Sequence, residues 1–239
     1  MTEAFRSGAD VLDLFLVAED APGDLEELAT AAGVRPQVVT ESVMRSLADT
    51  RTPQGAVAVV RQDPVALRSL PREMNLVLVL VSVRDPGNAG TLIRSAVAAG
   101  AGAVVFAEDS VDPFGPKTVR SSAGMLFHVP VVGGVSLAEV HRFAKERGMA
   151  TVGADANAST EHIDADLSKP VALVVGNEAW GIPEHLREEL DEVVSIAMPG
   201  PAESLNVGIA GSLLLFEALR QRRGSRVPPG AGVYPPDHD

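Results

Sequence analysis

Polar residues able to do chemistry gather at three places in this chain, each close behind an apolar run. VSVRDPGNAGTLIRSAVAAG (81–100) carries Asn88, Gly90 and Arg94. VALVVGNEAWGIP (171–183) carries Asn177 and Glu178 between Gly176 and Gly181. SIAMPGPAESLNVGIA (195–210) carries Ser204 and Asn206 behind a Pro-Gly-Pro break. Arg94 offers planar donors that suit a phosphate or a developing alkoxide. With a pKa above about 12, an arginine is a reluctant proton acceptor, so activating and orienting a hydroxyl fits it better than acting as a base. Gly90 and Arg94 stand four apart and share a helix face. The small Gly90 is expected to let a substrate backbone approach the guanidinium. Asn88 reads as the N-cap of a helix ending near Gly100, and Glu203 or Ser204 as the cap of the last helix. Each motif alone has a plainer reading: a surface arginine on a capped helix, a tight turn, a capping serine. GNEAWG is neither a Gly-x-Gly dinucleotide fingerprint nor a P-loop.

The elements that must position these loops are legible from pattern. LVLVLVSV (76–83), AVVFA (103–107), VPVV (129–132), MATVG (149–153), VALVV (171–175) and VVSIA (193–197) read as strands, mostly too apolar for a surface. Helical segments fall near 89–99, 117–125, 136–147 and 183–190. This βα alternation predicts an α/β fold, a mostly parallel sheet with helices on both faces. The polar loops would then lie at the carboxyl ends of strands, where such sheets bind ligands. Residues 1–61 form a smaller α/β unit: VLDLFLVA (11–18), a helix from near Asp24 stopped by Gly33, a short VVT, a helix from about Glu41, and GAVAVV (55–60). QDPVALRSLPREMN (62–75) has the prolines and mixed charge of a linker. The main domain would occupy 76–221. The Pro/Gly-rich RRGSRVPPGAGVYPPDHD (222–239) reads as a disordered tail. In the last helix Val207, Gly211, Leu214 and Ala218 form a stripe, either core or a dimer interface.

Composition narrows the class. With 239 residues, 46% hydrophobic, the chain can build a sizeable core, and zero cysteines exclude disulfides, zinc-thiolate sites and thiol nucleophiles. Five histidines without ligand-like spacing argue against a metal. Nothing approaches the roughly 20 apolar residues of a membrane span, and the N-terminus lacks a basic-then-apolar signal, so a cytoplasmic protein is expected. A formal charge of −12 weighs against tight binding of naked nucleic acid. Arg84, Arg94, Lys117 and Arg120 nevertheless cluster in or near the candidate loops, where the local field can differ in sign from the total.

Taken together and in this order, Asn88-x-Gly90-x-x-x-Arg94, GNEAWGIP and SIAMPGPAESLNVGIA resemble the three signature motifs of the SpoU/TrmH family, RNA ribose 2′-O-methyltransferases of the SPOUT class. The likeness covers roughly residues 72–221, with a looser match upstream. It implies a C-terminal trefoil knot, S-adenosylmethionine as cofactor, and a homodimer with sites beside its interface. It implies Arg94 as the catalytic arginine, with Asn88, Glu178, Ser204 and Asn206 around the reacting groups. Gly176, Asn177, Gly181, Ile196, Met198 and Leu205 would hold the cofactor, largely by main chain. Arg84 is expected to meet substrate phosphate. In DPFGPKTVRSSAGMLFHVPV (112–131), similar to the family's linking text, Lys117, Arg120, Ser121 and Ser122 read equally well as phosphate-binding groups near a helix start or as solvated helix residues. Where the family continues Ser-Val-Ala, this chain has Gly208-Ile209-Ala210. SGADVLDLFLVAED and the turn TPQG (52–55) are similar to the family's ribosomal-protein-like N-terminal domain, which favours ribosomal over transfer RNA. Met1 enters near the end of that domain's usual first helix, so the domain would be shortened or would begin upstream. Other readings are a transfer-RNA ribose methyltransferase, a module that binds RNA or cofactor without reaction, or a methyltransferase acting on a base nitrogen.

Overall fold

The structure, a computed structural model, describes residues 1–18, 23–48, 55–62 and 65–224. Most of the TPQG turn, two linker positions and the tail from residue 225 lie outside the described residues. The first elements are α1 (Thr2–Arg6), β1 (Val11–Leu16), α2 (Leu25–Ala31), β2 (Gln37–Val38), α3 (Glu41–Leu47) and β3 (Ala56–Val60). They form a sheet of order β2-β1-β3, in which β1 pairs parallel with β2 and antiparallel with β3. Leu14, Leu16, Leu25 and Ala29 are its core.

The second sheet draws on β4 (Leu76–Val81), α4 (Pro86–Ala98), β5 (Ala103–Ala107), α5 (Pro116–Ser121), β6 (Val131–Val135), α6 (Leu137–Glu146) and β7 (Ala150–Ala154). It is completed by β8 (Thr160–Glu161), β9 (Val171–Val175), α7 (Glu184–Arg187), β10 (Glu192–Ser195) and α8 (Val207–Gly224). Its order is β6-β5-β4-β9-β7-β10-β8, and every neighbouring pair is parallel. The unbroken apolar text of β4 follows from burial on both faces. Leu76, Leu78 and Leu80 enter one core with Leu92 and Ile93 of α4 and Leu214 and Leu215 of α8. Val77, Val79 and Val81 enter the other with Val140 and Phe143 of α6.

Several local expectations are corrected. Asp85, not Asn88, caps α4: its carboxylate accepts from the Asn88 N–H at 2.8 Å, and Pro86, which has no N–H to leave unpaired, opens the helix. Asn206, not Glu203 or Ser204, caps α8, its Oδ1 accepting from the N–H groups of Gly208 (2.9 Å) and Ile209 (3.3 Å). The helix expected over 117–125 stops at Ser121, because Ala123 and Gly124 take φ of +50° and +83° and a short 3₁₀ turn follows at Met125–His128. β6 begins after Pro130 and runs on through Gly133 and Gly134, later than VPVV suggested. The two-residue β8 has too little text to signal itself.

Small residues set how closely α8 lies on α4. A methyl at Gly211 would sit 2.4 Å from Leu92 Cδ2, one at Gly208 3.3 Å from Thr91, and the Ser95 and Ser212 hydroxyls bond at 2.7 Å. Val207, Gly211, Leu214 and Ala218 are all buried within this chain, so that stripe is core. The opposite side of α8 leaves Ile209, Leu213 and Phe216 exposed at 53%, 41% and 48%, spaced i, i+4, i+7.

Candidate active site at the carboxyl edge of the sheet

Three adjacent strands of the sheet, β9, β7 and β10, end on one cavity of about 590 Å³. Its walls are the end of β7 (Ala154 to Asn157), the loop after β9 (Gly176 to Glu184) with Arg187, and the segment after β10, contributing Ile196, Met198, Ser204 and Leu205. Gly176, Asn177, Glu178 and Gly181 line it with them. Two cavities along β6, about 620 and 800 Å³, contain none of the motif residues.

The loop after β9 is held rigidly. Asn177 and Gly181 exchange two backbone hydrogen bonds of 2.9 Å, closing a three-residue hairpin loop. The buried Asn177 side chain donates to Ser82 O at 2.7 Å and accepts from Ala179 N at 2.8 Å, so it fixes the loop. Gly181 turns the chain with φ of +68°. Gly176 is required by contact: a Cβ there would lie 2.2 Å from the carbonyl carbon of Gly181 and 2.3 Å from Ile182 N.

A hydrogen-bonded relay joins the three motifs. Asn206 Nδ2 donates to Asn88 Oδ1 at 2.9 Å, and Asn88 Nδ2 donates to Glu178 Oε1 at 3.0 Å, which also accepts from Asp85 N at 3.2 Å. Asn206 is oriented by its role as cap, so the direction of every amide is determined. Burial pushes the Glu178 carboxyl up, but hydrogen bonds from Asn88 and from nearby backbone N–H groups outweigh it and hold the group below its ordinary value. Glu178 is therefore an anion throughout the neutral range.

Some expected residues lie elsewhere. Arg94 is exposed on α4, outside the cavity of its own chain, with no hydrogen bond or ion pair to any described residue. Gly90 admits no substrate: a Cβ there would lie 2.0 Å from the Ser121 hydroxyl, so its smallness serves the α4–α5 contact. Lys117 and Arg120 are exposed on α5, away from the cavity, and the Ser121 and Ser122 hydroxyls in its last turn donate to backbone carbonyls. Arg84 stands at the rim, its guanidinium 5.5 Å from the centre of the Trp180 ring.

Other lining residues escaped the sequence. Asp155 and Arg187 form an ion pair inside the cavity, and Arg187 also pairs with Glu184. Arg187 is held more basic than usual, first by Asp155 and then by Glu184. Burial raises the Asp155 carboxyl, but the Asn157 N–H and Arg187 lower it further. The text GADAN at the end of a strand could have flagged Asp155; nothing in EHLREEL distinguishes Arg187. Among the described residues no group of three or more potential metal ligands is gathered, and no helix is long and apolar enough to cross a membrane.

Known proteins resemble this chain over most of its length. Residues 75–216 match the SpoU rRNA Methylase family, and residues 1–66 match RNA 2′-O ribose methyltransferase substrate binding domains. The chain belongs to the SpoU rRNA methylase family. A 23S rRNA (guanosine(2553)-2′-O)-methyltransferase RlmP from Bacillus subtilis is 34% identical over 215 residues, 90% of this chain and 83% of that one. The crystal structure of the SpoU methyltransferase AviRb from Streptomyces viridochromogenes superposes with a TM-score of 0.84 at 32% identity, covering 94% of this chain and 87% of that one. An AdoMet-bound rRNA methyltransferase from Sinorhizobium meliloti gives 0.80 at 32% identity, covering 92% and 83%. S-adenosylmethionine is the family's methyl donor, and the cavity suits it. Val175, Ile182, Val194 and Val207 give apolar walls, Gly176 and Gly181 add wall without side chains, and Asp155, Glu178 and Glu184 outnumber Arg187, favouring a sulfonium cation.

Proposed function

We propose that this protein methylates a ribose 2′-hydroxyl of ribosomal RNA, using S-adenosylmethionine. The observation that carries this reading is that the second and third motifs line one cavity and the first is tied to both through the Asn206–Asn88–Glu178 relay. The 23S rRNA named for the relatives supports ribosomal RNA as substrate.

Gly176, Gly181, Ile196, Met198 and Leu205 hold the cofactor, with Asn177 fixing their loop. Bound there, the cofactor supplies an electrophilic methyl group to the attacking hydroxyl. The protein supplies orientation and an electrostatic setting. Ser204 and the Asn206–Asn88 amides present polar groups at the rim, and the Glu178 anion keeps those amides in one orientation. Arg94 activates and orients the hydroxyl, and Arg84, Lys117 and Arg120 meet the RNA backbone.

Arg94 reaches a reacting site in a homodimer. It is exposed on α4 with Thr91 and Ala98, and its neighbours Thr91 and Ser95 meet Gly208 and Ser212 of α8, the residues next to Ile209 and Leu213 of its exposed apolar face. A second copy docked on that face buries the apolar residues and brings one copy's arginine toward the other's cavity. Residues 1–61 serve as the RNA-binding unit, 62–75 as linker, 76–221 as the catalytic domain with a knotted C-terminal segment, and the protein works in the cytoplasm. The test is calorimetry with S-adenosylmethionine followed by tritiated-methyl transfer to ribosomal RNA. Wild type should bind and transfer; Arg94→Ala should bind with unchanged affinity and transfer nothing measurable. Binding without transfer by the wild type would instead identify a non-catalytic module.

A further inference from the structure

We propose that Trp180, backed by Arg84, is a stacking platform for an unpaired nucleobase of the substrate RNA, placed at the rim of the methyl-transfer cavity. This rests on the RNA methyltransferase reading above.

Trp180 is the only tryptophan of the chain, and it is 57% exposed. More than half of the indole surface is therefore open to a ligand. It stands in a braced loop of the site, closed by the Asn177–Gly181 hydrogen-bond pair and pinned to the end of β4 through Asn177 and Ser82. A base stacking on it therefore meets a surface already in position. Arg84 lies over the ring, 5.5 Å from its centre, within cation–π range. One ring face is thereby occupied by a cation and the indole is steadied, while the guanidinium stays exposed and able to meet a phosphate. Trp180 also lines the cavity, so a base held on it belongs to the target nucleotide or its neighbour.

Charge makes such a contact useful. The chain carries a formal −12, and the walls near Trp180 include Glu178, Glu184 and Asp155. Phosphate attraction alone is a poor means of holding RNA beside those carboxylates. Stacking is indifferent to that field, and it requires a single-stranded or splayed-out base, since a base within a duplex offers no free face.

The sole tryptophan makes the test direct. Fluorescence of the full-length protein would be followed during titration with S-adenosylmethionine alone, with single-stranded oligo(A), and with an abasic oligomer of equal length. Quenching by oligo(A), without quenching by the abasic oligomer or by cofactor alone, is expected. In parallel, transfer to ribosomal RNA would be measured for wild type, Trp180→Leu and Trp180→Phe. Trp180→Leu should raise KM for RNA on the order of tenfold or more, with Trp180→Phe recovering most of it and cofactor affinity unchanged in both. An unchanged KM in Trp180→Leu while the wild type transfers normally would overturn the platform and leave the enzyme reading intact. Quenching by cofactor alone would overturn it too, placing the ring on the cofactor. Failure of the wild type to transfer at all would remove the reading beneath it.

Discussion

Replacing Asn88 by aspartate is the sharpest perturbation of the relay, because it changes charge and donor pattern with almost no change in shape. In the native chain Asn88 Nδ2 donates to Glu178 Oε1 at 3.0 Å, while Asn88 Oδ1 accepts from Asn206. Asn88→Asp keeps the second bond and turns the first into two carboxylate oxygens facing each other. Two unit charges at that distance repel by about 5 kcal/mol at an effective permittivity of 20 and about 1.4 kcal/mol in water. Glu178 is exposed, so the lower figure is the relevant one. It corresponds to roughly one pKa unit and about a tenfold effect on any step that needs the native arrangement. Methyl transfer by Asn88→Asp should therefore fall about tenfold relative to wild type at pH 8. The deficit should shrink as pH is lowered toward 5, because one of the facing carboxyls takes a proton and restores a hydrogen bond. Asn88→Ala should lose a similar amount with no recovery in acid. The assay is the ratio of variant to wild-type kcat/KM across pH, with cofactor affinity measured separately. A ratio for Asn88→Asp that stays near one, or that stays low without pH dependence, would refute a functional link between Asn88 and Glu178.

Other expectations follow from the same geometry. Gly176→Ala forces a methyl against the backbone of Gly181 and Ile182, so it should cost about 3 kcal/mol. Calorimetry should show a melting point lower by several degrees and weakened cofactor binding; an unperturbed variant would mean the loop is not built as described. Ile209→Asp combined with Phe216→Asp should convert a dimer to monomers in sedimentation experiments and abolish transfer, with S-adenosylmethionine affinity reduced less than activity. Burial raises the carboxyls of Asp155, Glu178 and Asp191, but hydrogen bonds outweigh it and leave each below its ordinary value. At Glu217 the Arg220 hydrogen bond is the leading cause of a similar lowering. Depressed carboxylates stabilise the fold above their ordinary values of 3.8 and 4.5, and that contribution is lost as pH falls through the lowered ones. Thermal midpoints should thus be flat with respect to these groups from pH 6 to 8 and drop below about pH 4; equal midpoints at pH 7 and pH 3.5 would contradict this.

The sheet was legible because burial on both faces writes itself as unbroken apolar text. AVVFA and VALVV coincide with β5 and β9 to the residue. β8, two residues long, and the break of the α5 region at Ala123 depend on tertiary contacts and positive φ, which leave no periodic trace. At the site, spacing located the three loops but not the division of labour within them. Residue type points to Asn88 and to Glu203 or Ser204 as caps, whereas Asp85 and Asn206 cap, which frees Asn88 for Glu178. Gly90 reads as room for a substrate until Ser121, thirty-one positions later in the text, is seen to fill that room. Arg187 enters the cavity through an ion pair with Asp155, and a pairing so distant in sequence has no local signature.

The central claim is that a methyl group reaches a ribose hydroxyl of ribosomal RNA at this cavity. The most direct measurement is nucleoside digestion and mass spectrometry of ribosomal RNA incubated with S-adenosylmethionine and either wild type or Arg94→Ala. A 2′-O-methylated nucleoside formed by wild type and absent with Arg94→Ala is the expected result. A methylated base, or equal ribose methylation by both proteins, would contradict the account.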